Sequence, residues 1–252
     1  MQAESTPTML PGWVDASDGG APYSPRPQGS FFARLRLIDF MMKRRDALFD
    51  DLARERDLPN YIADMLIVTT LLMAVYGLLV GVNVGGRAAL MNPVKLPWLL
   101  ILTLALCVPS LHIFSAYLGS KLTFAQNLAL AATSVAIIAI VLTAFAPIVW
   151  FFMFASNHYE FGVFVNLLAF SVGGLLGVSY LFSAAQYLYK SHPHPQRFLS
   201  FLTMWIMLYG VVGAQMAYNL GPYFSQADRF FNPRGGNVLV NIAEHLTKLL
   251  GG

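Results

Sequence analysis

Charge is what this sequence has least of. Only 12% of its 252 residues are Asp, Glu, Lys or Arg, about half of the roughly 25% found in soluble globular chains. A water-facing surface cannot be built from so few charges, so an ordinary soluble fold is excluded. Cysteine is almost missing as well. Cys107 is the single thiol, so no intrachain disulfide can form and nothing about redox compartment follows. The first thirty residues contain no apolar stretch of the secretion-signal kind, because Pro7, Pro11, Asp15, Asp18, Gly19, Gly20, Pro22, Pro25 and Pro27 interrupt them. Residues 1–30 are expected to form a disordered Pro/Gly-rich tail. HExxH, GxSxG and the phosphate-binding P-loop are all absent, which removes the commonest routes to a metalloprotease, a serine hydrolase or a nucleotidase.

What is present is hydrocarbon. Hydrophobic residues make up 56% of the chain and mean hydropathy is +0.57. Between Leu96 and Gly221 the only formal charges are Lys121, Glu160, Lys190 and Arg197. These polar breaks divide the stretch into runs that can cross a bilayer, which takes about 20 apolar helical residues. Five spans are expected: 62–82, 97–118, 124–154, 161–187 and 198–220. Pro147 should kink or tilt the end of the third. Tyr61, Trp98, Tyr117, Trp150, Tyr159, Tyr187 and Tyr223 sit near span boundaries, as residues of an interfacial aromatic belt do. No run alternates with period two, which excludes an outer-membrane barrel. The fold class is therefore all-α: a polytopic helical membrane bundle of about five transmembrane helices with amphipathic flanking helices.

Lys and Arg set the orientation. With the N-terminus inside, Arg26, Arg34, Arg36, Lys43, Arg44, Arg45, Arg54, Arg56, Lys121, Lys190 and Arg197 are cytoplasmic, while Arg87, Lys95, Arg229, Arg234 and Lys248 lie outside. The excess favours a cytoplasmic N-terminus in a bacterial inner membrane, with the tail folded back inside a six-span chain as the rival. Anionic lipid accounts for the net charge of +3, and no nucleic-acid partner is implied. Residues 31–58 read as a basic amphipathic helix, with Phe32, Leu35, Ile38, Met42, Leu48, Phe49 and Leu52 among its Arg and Lys residues. Such a helix lies in the headgroup plane or docks on protein. In the tail 221–252, Leu239, Ile242, Ala243, Leu246, Leu249 and Leu250 share a face of a short helix. Phe230, Phe231, Arg234 and Asn237 form a candidate docking element ahead of it, with Asn237 able to cap that helix.

Inside the spans, candidates for chemistry are few. Intramembrane charge marks most ion-coupled transporters, yet only Asp64 enters a span, close to its start. His112 is the ionisable side chain that lies deepest apart from Cys107, after Pro109 and Ser110. With Asn166, Gln215 and Asn219 it makes up the candidate polar set, for which interhelical hydrogen bonding is the plain reading. Asn127, Thr133, Ser134 and Ser171 belong to the same packing class. Gly77/Gly81 and Gly173/Gly177 are GxxxG pairs that let backbones approach, within the chain more readily than between chains. His192 and His194 lack the further ligands of a zinc site. No catalytic residue, metal site or cofactor is expected, and the chain reads as a non-enzyme.

A resemblance adds to this reading. Tyr76-Gly77, Lys95-Leu96-Pro97, Leu102-Thr103, Cys107-Val108-Pro109-Ser110-Leu111, Leu118-Gly119, Ala146-Pro147-Ile148, Phe151-Phe152, Asn166-Leu167, Gly213-Ala214-Gln215-Met216-Ala217 and Phe230 to Asn237 resemble a family of uncharacterised bacterial multi-pass membrane proteins, loosely Yip1-like. The resemblance runs from about Asp46 onward and implies a helical bundle that organises membranes, with no catalytic residues. Two functions follow. One is a scaffold, assembly factor or accessory subunit whose partners are the bilayer and a membrane protein or a second copy. The other is a small permease or channel with a polar path near His112, Asn166 and Gln215.

Overall fold

The computed structural model describes residues 38–39, 41–43, 45–55, 57–85, 88–118, 122–155, 159–188 and 195–220. The N-terminal tail, His158, the His192–His194 loop and the whole segment 221–252, with Phe230, Phe231, Arg234 and Asn237, lie outside these residues. Among those described the secondary structure is helical: α1 (Arg45–Ala53), α2 (Leu58–Val84), α3 (Ala88–Tyr117), α4 (Phe124–Ala155), α5 (Tyr159–Leu188) and α6 (Pro195–Leu220). Residues 38–39 and 41–43 are helical too.

Local chemistry sets the ends. Glu55 and Asp57 both take left-handed backbone angles, φ 54° and 49°, so the chain turns sharply between α1 and α2. Asn60 Nδ2 donates to Asp57 Oδ1 at 2.7 Å, and Pro59 sits at the start of α2, where its missing N–H costs nothing. Gly85, at φ 80°, closes α2 by donating its N–H to the Gly81 carbonyl at 3.0 Å. Five helices, α2 to α6, are long and apolar enough to cross a membrane.

α4 is the axis of the bundle. α2, α3 and α5 all pack on it, and α6 leans on α3 and less closely on α5. Ala129, Leu130, Ala131, Ala132, Val135, Ala136 and Ala139 are buried in succession along it. Small side chains on the central helix let three others come close without voids. The glycine pairs face inward. A Cβ on Gly77 would stand 2.5 Å from the Asn92 carbonyl oxygen of α3, and one on Gly177 would stand 2.5 Å from Ile138 Cγ1 and 3.0 Å from the Ser134 carbonyl of α4. Gly173 lies against Leu142 and Ile138, and Gly81 is buried.

One expectation is corrected in position. α3 begins at Ala88 and not near Pro97, so Lys95 is part of a helix and is only 3% exposed. Pro93 and Pro97 remove two helical donors, but α2 covers this stretch through the Gly77 contact, and packed helices tolerate proline where neighbours enclose the freed groups. Of the two positions expected for the N-terminal flank, its described part takes the protein-docked one for most of its apolar residues, while Met42 is exposed. Met41, Leu48, Phe49 and Leu52 are buried, α1 packs on α4 and α5, and Phe49 meets the rings of Tyr180 and Tyr187 at 5.4 and 5.7 Å. Tyr180 Oη donates to the Met41 carbonyl at 3.3 Å.

Candidate functional site

Polar side chains within the spans gather at helix seams. At one end of α4, Asn127 Nδ2 faces three acceptors: His112 Nδ1 at 3.1 Å, Ser115 Oγ at 3.3 Å and the Thr123 carbonyl at 3.2 Å. The amide has two hydrogens for these three positions, and where one goes to His112 the ring accepts it at Nδ1. The ring of Phe124 meets His112 edge-on at 5.4 Å. Asn127 is wholly buried, and its Oδ1 has no donor among the described residues.

At the other end, Tyr76 Oη donates to Asn166 Oδ1 at 2.9 Å, joining α2 to α5. Asn166 Nδ2 donates back to the Gly162 carbonyl at 2.8 Å and to Met153 Sδ of α4 at 3.2 Å. Removing either Tyr76 Oη or the Asn166 amide therefore breaks one link across three helices. A double-mutant cycle with Tyr76→Phe and Asn166→Leu, read by unfolding in detergent, should give a coupling of about 1 kcal/mol. Strict additivity of the two substitutions would mean that the bond carries no energy.

These two clusters do not meet. Asn127 and Met153 lie 26 residues apart on one helix, which is about 39 Å along its axis. Gln215 and Asn219 are half-buried in the last turns of α6, so the candidate polar set His112, Asn166, Gln215 and Asn219 is distributed rather than convergent. Between the clusters, Thr133 Oγ1 donates to the Ala129 carbonyl at 2.6 Å and receives Tyr61 Oη at 2.6 Å. Ser134 Oγ turns back to the Ala131 carbonyl at 2.7 Å. Hydroxyls that bond their own helix add no polar lining to a seam.

Three contacts escaped the sequence reading. Trp205 Nε1 of α6 donates to the Cys107 carbonyl and to Ser110 Oγ, both at 3.1 Å, pinning α6 to α3 near Pro109. Tyr76 gave no signal, because a tyrosine inside an apolar run looks like any other core residue. Gln126 did give one: Thr123-Phe124-Ala125-Gln126 is a capping box. The Thr123 N–H donates to Gln126 Oε1 at 2.9 Å, and the Gln126 N–H reaches Thr123 Oγ1 at 3.3 Å. Gln126 Nε2 also donates to the carbonyls of Leu52 and Ala53, at 3.1 and 3.2 Å. One side chain thus starts α4 and ends α1.

Among the described residues no three of His, Cys, Asp and Glu stand close enough to hold a metal ion. What the fold defines is an α-helical membrane protein with, among the described residues, five long apolar helices, of which α4 is the central one. Comparison with protein-family models, with curated proteins and with solved structures finds no match.

Proposed function

We propose that this protein is a non-enzymatic integral membrane protein, a scaffold, assembly factor or accessory subunit of a membrane complex in a bacterial inner membrane. The observation that carries this reading is the filling of the bundle axis. Buried Ala, Leu and Val side chains occupy α4 between the two polar clusters, and the hydroxyls along that length bond to helix backbone or to Tyr61. A transport path needs polar groups or a cavity through the midplane. The resemblance to Yip1-like bundles points the same way. Extraction in mild detergent with quantitative mass spectrometry against a tag-only control tests it: a membrane protein retained at fixed stoichiometry is the expected result. A solitary chain that moves a solute or protons when reconstituted in vesicles would overturn it.

The permease reading keeps one observation in its favour, the buried Asn127 Oδ1 beside His112, which has no donor among the described residues. His112→Leu discriminates. On the scaffold reading it costs about 1–2 kcal/mol, the loss of one interhelical hydrogen bond, and leaves function in place. A stably inserted His112→Leu protein that has lost a vesicle flux shown by the parent would favour the permease.

The N-in orientation is proposed on the Lys and Arg excess alone. Cys107 is buried at 3% exposure, so a Cys107→Ser background gives a clean thiol-labelling experiment. A cysteine added at the C-terminus should react with an impermeant reagent in intact cells. Reaction only after lysis would require an even number of spans.

A further inference from the structure

The far end of the α4–α5 pair differs from the rest of the bundle. Over most of its length α4 hides a strip of side chains, but from Trp150 to Ala155 only Met153 is even half-buried. Phe154 is 71% exposed, Phe151 59% and, on α5, Phe164 60%. The rings pack on one another instead. Trp150 stacks on Phe154 at 5.6 Å, and Phe152 meets both Phe151 and Phe161 edge-on at 5.8 and 6.1 Å. The end of α4 is thus a prong, apolar around nearly its whole circumference, stiffened by ring contacts and joined to α5.

Three features say what surrounds it. A docked protein covers one face of a helix, whereas a prong exposed nearly all round fits a fluid environment. No cation lies on its own two helices between Leu122 and Leu188, where the only formal charge is Glu160; the cations expected on this side, Arg87, Lys95, Arg229, Arg234 and Lys248, belong to other segments. Depth is the third. Gln126, bound to the charged end of α1, is taken as the boundary of the hydrocarbon on one side. Hydrocarbon about 30 Å thick then ends close to Ala146, and Trp150 falls about 36 Å from Gln126 along the helix axis, about 6 Å past that boundary. That is the headgroup layer of the opposite leaflet, where aromatic rings are most favourable.

We propose that the α4–α5 end is a lipid-embedded aromatic prong, seated in the headgroup layer of the leaflet opposite α1 and held there by ring burial, without attraction to anionic lipid. It is a lipid contact, and so it leaves partner docking to other surfaces of the bundle.

Trp150 is a built-in probe. The full chain and its Trp150→Phe variant, reconstituted in phosphatidylcholine vesicles, give the Trp150 emission by difference; an aromatic replacement at an exposed position leaves the fold alone. Lipids brominated near the headgroup end of the acyl chain should quench this emission about twofold more than lipids brominated near the methyl end. Replacing part of the phosphatidylcholine with phosphatidylglycerol should leave the quenching unchanged. Stronger quenching by the deep label would put the prong in the hydrocarbon and overturn the proposal. So would quenching by aqueous iodide with none from brominated lipid, which is the signature of a prong in water or against protein. Quenching that depends on phosphatidylglycerol would overturn the charge independence.

Discussion

Gly77→Ala should be the most damaging single methyl group that can be added to this bundle. The new Cβ would lie 2.5 Å from the Asn92 carbonyl oxygen, 2.7 Å from its carbon and 2.9 Å from the Pro93 nitrogen. All three are backbone atoms of α3, so no side-chain rotation relieves the clash and the two helices must separate. The cost should be about 3 kcal/mol or more, at the upper end for overpacking, which is a large share of the 5–15 kcal/mol that holds a typical domain. Gly177→Ala should cost less, because its nearest neighbour is the flexible Ile138 side chain, although the Ser134 carbonyl at 3.0 Å limits the escape. Gly173→Ala meets its nearest atom at 3.4 Å and should be close to neutral. Gly174→Ala and Gly210→Ala meet nothing within 4 Å and should gain up to about 1 kcal/mol of helix propensity. Unfolding of the five variants by denaturing detergent gives the ranking directly. Equal losses from Gly77→Ala and Gly174→Ala would show that the α2–α3 seam is not closely packed.

This ranking could not be drawn from the sequence, and the reason is physical. In a soluble helix the buried face is apolar and the other polar, so periodicity reports which residues pack. A span meets lipid on one side and protein on the other, and both are apolar, so Gly77 and Gly173, both members of GxxxG pairs, look alike in the chain and differ only in what stands opposite. The same blindness hid Tyr76 as the partner of Asn166. What the membrane does write into the sequence is the position of charge, and the spans could be read from that. The polar breaks around Lys121, Glu160 and Lys190 coincide with the ends of α3 to α6. The rule failed at Lys95, where a charge lies inside a helix. A single lysine is a weak stop signal near a span end, and Lys95 is enclosed by the bundle at 3% exposure.

The candidate polar residues are explained by the same contrast. His112 and Asn166 were conspicuous because buried polar groups in hydrocarbon must find partners. That requirement predicts a hydrogen bond for each but not the location of the partner. The answer, opposite ends of α4, is a property of how α2, α3 and α5 are arranged around it. It also separates the two functional readings, since a path has to be continuous and a set of seams does not.

Gln126 offers the sharpest test of how the N-terminal segment is held. Its two roles use different atoms: Oε1 accepts the Thr123 N–H to cap α4, and Nε2 donates to the Leu52 and Ala53 carbonyls to dock α1. Gln126→Ala removes both in a site where the side chain is only 6% exposed, and should cost about 3 kcal/mol through the lost cap and the orphaned carbonyls. Thr123→Ala removes the reciprocal half of the box alone and should cost about 1 kcal/mol. Gln126→Glu separates the roles. A carboxylate caps as well as an amide, or better beside a helix N-terminus, but it has no donor for Leu52 and Ala53 and turns an oxygen toward theirs. The start of α4 should then remain intact while α1 swings free. Trypsin would cut Gln126→Glu protein faster at Arg45 and Arg54, in α1 and just after it, while circular dichroism and the detergent-unfolding midpoint of the bundle change little. Slow cleavage in Gln126→Glu, equal to that of the parent, would mean that Phe49 and its ring contacts with Tyr180 and Tyr187 hold α1 without help from the amide.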